Sequence, residues 1–65
     1  MAAKINWDAA RKAGFRLLRV LSKTHGLEAA REVARGRYRR HGKHTTRGIA
    51  WWYALSLSKH ATAVL

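Results

Sequence analysis

The chain has 65 residues and carries fourteen Lys and Arg against three Asp and Glu, a formal charge of +11 with histidine neutral. That length bounds it to one domain with a thin core, which argues against a multidomain machine or a cofactor enzyme, while 48% hydrophobic residues and three Trp set it apart from disordered basic tails. With no cysteine there are no disulfides, no thiolate catalysis and no thiol-ligated zinc, and with no proline and no low-complexity stretch nothing divides the chain.

Residues 6–23 read as an amphipathic helix. Trp7, Ala10, Gly14, Leu17, Leu18 and Leu21 recur at three- and four-residue steps, Phe15 and Val20 widen that stripe, and Asp8, Lys12, Arg16, Arg19 and Lys23 lie opposite. Asn6 is placed to cap the first turn and Asp8 suits the positive helix end. The helix is expected to stop near Thr24-His25-Gly26, where Gly26 can turn left-handed. Trp7, at the start of the stripe, is expected in the packing.

Residues 27–41 place Leu27, Ala30, Val33, Ala34 and Tyr38 on one face and Glu28, Arg31, Glu32, Arg35 and Arg39 on the other. Alanines allow close helix approach, whereas Gly36 weakens the middle by about 1 kcal/mol relative to Ala and predicts fraying or a bend. Residues 35–47 then hold six cations and no acid, and Gly42 is expected to end the second helix.

Thr45 or Thr46 caps a third helix, over residues 47–64, whose run Ile49-Ala50-Trp51-Trp52-Tyr53-Ala54-Leu55-Ser56-Leu57-Ser58 is apolar nearly all round. Such a helix is buried or lies in lipid. At about 1.5 Å per residue, residues 49–65 extend about 25 Å, short of a hydrocarbon core of about 30 Å. The simplest architecture is all-α: a compact bundle of three short helices, four if one breaks at Gly14 or Gly36, with the apolar helix between the amphipathic pair.

Catalytic material is sparse. Asp8, Glu28 and Glu32 are the only carboxylates and all fall on polar faces, away from the desolvated cleft that acid and base work needs. His41 and His44, with His25 or His60, are the candidate metal ligands, but the surrounding arginines oppose a second positive ion and a solvated basic loop is the simpler reading. Gly36, Gly42 and Gly48 do not form a phosphate-binding loop of known register. No enzyme activity, cofactor, metal or small-molecule substrate is expected.

The basic segment fits two anionic partners. Nucleic acid is one, with residues 35–47 tracking phosphates and Tyr38 or His41 stacking on an unpaired base. An anionic membrane is the other: each cation near such a surface contributes about 1 kcal/mol, and Trp settles at the interface. Trp51, Trp52 and Tyr53 are consecutive, so they cannot all enter one small core, and at least one ring must reach the surface. A cationic body joined to an apolar, aromatic-bearing helix is the pattern of interfacial membrane binders. Met1-Ala2-Ala3-Lys4-Ile5-Asn6-Trp7 lacks the apolar region of a secretory signal, so export calls for a dedicated transporter.

Leu21-Ser22-Lys23-Thr24-His25-Gly26, followed by Ala29, Ala30, Val33 and Ala34 and then His41-Gly42-Lys43, resembles the middle of leaderless bacteriocins of the aureocin and lacticin Q type. Those peptides join a Leu-x-Lys-x-Gly helix end to an Ala-rich helix and a Gly-Lys turn. The resemblance implies a saposin-like bundle, secretion, and disruption of anionic membranes of Gram-positive bacteria without a protein receptor. Circular bacteriocins share that bundle, and whether Met1 and Leu65 are joined stays open.

The leading expectation is a secreted cationic antimicrobial protein acting at the target-cell membrane. Lys12, Arg16, Arg19, Lys23, Arg35, Arg37, Arg39, Arg40, Lys43 and Arg47 would bind headgroups. Trp51, Trp52 and Tyr53 would enter the headgroup boundary, followed by Leu55, Leu57 and Val64. The alternative is a small nucleic-acid-binding or nucleoid-associated protein, and a third class is an inhibitor docking on an acidic protein.

Overall fold

A computed structural model describes residues 4–60, which form three helices: α1 (Trp7–His25), α2 (Leu27–His41) and α3 (Thr46–His60). Each boundary has a local cause. Asn6 caps α1 through its side-chain oxygen, which accepts the Ala9 N–H at 3.1 Å. Gly26, at φ 88°, donates its N–H to the Ser22 carbonyl while its own carbonyl accepts from Ala30, so one residue both closes α1 and opens α2. A side chain is strained at such a φ, which is why glycine stands there. Gly42, at φ 79°, ends α2 in the same way by donating to Tyr38. Thr45 is the cap of α3: its hydroxyl accepts the Gly48 N–H at 2.9 Å and donates to the His41 carbonyl at 3.2 Å.

The helices run up, down and up. Ala10 packs with Ile49 and Ala50, Leu18 packs with Ala54, and the Asn6 N–H donates to the Thr46 hydroxyl at 3.2 Å, so α1 and α3 climb together. The Arg31 guanidinium, near the start of α2, donates to the Ser58 carbonyl at 2.8 Å near the end of α3, which makes α2 antiparallel to it.

The buried positions on α1 are Ala10, Gly14, Leu18 and Ser22, every fourth residue; Ala10, Gly14 and Leu18 pack on Ala50 and Ala54 of α3, where burial continues at the same step to Ser58. Rows of this spacing are the ridges that interdigitate when helices pack. Ala30 and Ala34 bring α2 onto the same centre. The rows consist almost wholly of small residues, and among the described residues Leu18 is the one large side chain that is fully buried. Larger groups cover the centre from its margin: Leu21, Leu27, Trp51, Leu55 and Leu57 over one cluster, Ile5, Leu17 and Tyr53 over the other.

Several expectations change. Neither Gly14 nor Gly36 breaks its helix, so the bundle has three helices. Gly14 is a contact point, since a Cβ there would lie 2.6 Å from the Ala50 carbonyl oxygen and 2.7 Å from the Tyr53 Cβ. Gly36 faces open space, and α2 runs through it. Trp7, expected in the packing, is 54% exposed because it lies in the first turn of α1, ahead of the buried row that begins at Ala10. Phe15 and Val20, expected to widen the stripe, are 46% and 54% exposed. The expected helix at 47–64 is described from Thr46 to His60; positions 61–64 lie outside the described residues.

Two predictions follow from this packing. Gly14→Ala should destabilise the fold by about 1–2 kcal/mol, because overpacking of about 1–3 kcal/mol outweighs the helix-propensity gain, whereas Gly36→Ala, in open space, should stabilise by about 0.5–1 kcal/mol; urea denaturation of the pair reads both signs. Ser22 is buried on α1 with its hydroxyl unpartnered among the described residues. Ser22→Ala should therefore raise the unfolding midpoint, by about 1 kcal/mol in stability.

Candidate functional site

Charged residues follow from the same helical geometry. With Ala10, Gly14 and Leu18 facing inward, Lys12, Arg16, Arg19 and Lys23 point outward from α1, and all four are exposed. Arg35, Arg37, Arg39 and Arg40 are exposed along the second half of α2, Lys43 in the turn and Arg47 in the first turn of α3. The ten predicted headgroup contacts are thus all at the surface, spread over three helices and a turn.

Acids neutralise little of this surface. Asp8 pairs with Arg11 at 3.0 Å and Lys12 at 3.3 Å, and Glu32 pairs with Arg35 at 2.9 Å. These are exposed pairs within one helix, worth about 0.2–0.5 kcal/mol each. The other eight predicted cations have no acidic partner among the described residues. Lys23 and His25 close α1, and Arg39, Arg40 and His41 close α2. Cations there are favoured by the negative helix ends, so part of the charge serves the helices themselves.

The apolar set divides. Trp52 is exposed at 41% and its ring meets Tyr53 edge-on, with centroids 5.1 Å apart. Trp51, Leu55 and Leu57 are half-buried against the Leu18 cluster, and Tyr53 is half-buried against the Ala10 cluster. In the closed bundle these residues cover the core from several sides and do not form one free patch. Val64 lies outside the described residues. Tyr38 and His41, the candidate stacking residues, are half-buried.

Two residues gain a role that the sequence reading did not give them. Phe15 lies in a surface hollow of α1 bordered by Arg11, Lys12, Arg16 and Arg19, an aromatic ring inside a cationic ring. Its position among cations on both sides was the available signal, masked by its closeness to the apolar stripe. Arg31 is half-buried and spends its guanidinium on Ser58, to the carbonyl at 2.8 Å and the hydroxyl at 3.3 Å. No local pattern announces a contact between residues so far apart in sequence.

Asp8, Glu28 and Glu32 are all exposed, and no three His, Cys, Asp or Glu among the described residues converge as metal ligands. Among the described residues no helix is long and apolar enough to cross a membrane. Set beside known protein families, curated proteins and solved structures, the chain matches none.

The exposure pattern is directly measurable. In variants that keep one tryptophan each, Trp7 and Trp52 should be quenched strongly by acrylamide and Trp51 clearly less, with equal quenching of all three as the contrary result.

Proposed function

We propose that this chain is a secreted cationic antimicrobial protein that binds anionic bilayers from outside the target cell and permeabilises them. The observation that carries the reading is that, among the described residues, eight of the ten predicted headgroup cations are exposed without an acidic partner, together with four exposed large apolar side chains, Trp7, Phe15, Val20 and Trp52. The resemblance to leaderless bacteriocins points the same way.

The proposed steps draw on that arrangement. Arg37, Arg39, Arg40 and Lys43 hold the bundle at the headgroups, at about 1 kcal/mol per cation. Trp7 and Trp52 settle at the interface, where an indole has both apolar and polar neighbours. Lipid then competes for the margin of the core. Trp51, Leu55 and Leu57 cover a centre built of Ala30, Ala34, Ala54 and Leu18, so turning them outward toward acyl chains leaves few large contacts behind. The apolar character of α3 suits both the closed bundle and the membrane-bound state.

One observation favours a second reading. Phe15 within Arg11, Lys12, Arg16 and Arg19 is the arrangement by which single-stranded nucleic acid is held, a stacking ring among phosphate-binding cations. Competition between anionic vesicles and DNA at one ionic strength separates the two partners, since salt weakens both.

Dye should leak from anionic vesicles at micromolar protein and hardly at all from zwitterionic ones. Replacing Arg37, Arg39, Arg40 and Lys43 with Gln should weaken vesicle binding by up to about fivefold per charge removed. Absence of leakage from anionic vesicles, together with failure to kill bacteria from outside, would overturn the reading.

A further inference from the structure

A hollow of about 590 Å³ lies where the first half of α1, the end of α2 and the start of α3 meet. Its size is within the range of about 300–1,000 Å³ usual for small-molecule sites. Its floor is apolar: Ala9, Ala13 and Leu17 of α1, and Ala50 and Trp51 of α3. Its charged members, Arg37 and Arg47, are both cationic, and His41 and Thr46 are the other polar groups that line it. Arg37 and His41 come from neighbouring turns of α2, and Arg47 from the first turn of α3. No acid lines it, and the first turn of α3 has none. Asp8 and Glu32 are engaged with Arg11, Lys12 and Arg35, none of which lines the hollow.

We infer that this hollow binds one molecule of a phosphate-bearing amphiphile, with the phosphate between Arg37, His41 and Arg47 and the alkyl chain against Leu17, Ala13 and Trp51. The inference rests on the membrane reading for its biological setting, but not for its chemistry. Two guanidinium forks and an imidazole N–H match the several acceptor oxygens of a phosphate. The apolar floor makes a bare anion a poor occupant, because the ion would leave that floor uncovered while losing its own hydration. An alkyl chain covers it and removes apolar surface from water. The fit is to a single lipid phosphate, as distinct from the diffuse attraction of the whole cationic shell to a charged surface.

Decyl phosphate below its micelle concentration is the probe, titrated by calorimetry into the full chain. Emission is followed in a Trp7→Phe/Trp52→Phe variant in which Trp51 alone reports. One equivalent should bind, with a blue shift of Trp51. Inorganic phosphate and decanol should each bind about thirtyfold more weakly or less, since each supplies only half of the match. Arg37→Gln/Arg47→Gln should weaken decyl phosphate about tenfold or more, while Lys4→Gln/Lys59→Gln, which removes the same charge at exposed positions that do not line the hollow, leaves it nearly unchanged. All four positions are exposed, and circular dichroism confirms that both variants fold. Unaltered binding in Arg37→Gln/Arg47→Gln, several equivalents of equal affinity, or adenosine monophosphate binding more tightly than decyl phosphate would each overturn the site. Leakage of anionic vesicles without a one-to-one complex overturns the site and leaves the membrane reading standing. A one-to-one complex without leakage upholds the site and overturns the membrane reading.

Discussion

The closeness of α1 and α3 is the constraint on which the rest of the bundle depends. At Gly14 the gap between the helices has no room for a methyl group, since a Cβ there would lie 2.6 Å from a carbonyl oxygen of the facing helix. Two helices that close place mostly small residues between them: Ala10, Gly14 and Ser22 of α1 and Ala50, Ala54 and Ser58 of α3 are buried, with Leu18 the large exception in the row. Apart from Leu18 and Ile49, the large apolar groups packed on the core are displaced to the margins of the seam, where they are half-buried instead of enclosed. A chain this short cannot build a thick core, and this arrangement draws contact from backbone approach as well as from side-chain volume.

The same constraint decides where charge can go. The apolar α3 occupies the seam and carries little charge, so the cations fall on the outer faces of α1 and α2, on the turn and at the start of α3. Asp8 and Glu32 offset their neighbours within a turn and leave the wider field positive. A net charge of +11 on 65 residues repels itself in the compact state, and an anionic partner relieves that repulsion while binding. In the proposed membrane reading, half-buried Trp51, Leu55 and Leu57 are the groups that lipid would recruit.

Much of the fold was legible in the chain. Asn6, Gly26, Gly42 and Thr45 mark helix ends because capping is chemistry between residues a few positions apart, and each acts as its type dictates. The inward faces of α1 and α2 also follow from period alone. The errors have a common cause: a helical period says which residues share a face but not how far along that face the partner extends. Trp7 lies on the right stripe but ahead of the buried row, and Phe15 lies just beside the edge of contact. Gly36 was expected to weaken its helix, yet packing of Ala30 and Ala34 holds α2 through it, as tertiary contact overrides propensity.

The candidate site divides along the same line. The sequence by itself determined an all-helical chain, its cationic exterior and its lack of acidic compensation, because composition and period are local properties that need no partner. Only the tertiary structure decided which aromatic rings stay exposed, that Arg31 is committed to Ser58, and that Arg37, His41 and Arg47 share one apolar-floored hollow. Those facts depend on the direction in which each helix runs and on how closely the helices approach. Both are set by contacts between residues distant in the chain, at Gly14 against Ala50 and Tyr53 above all.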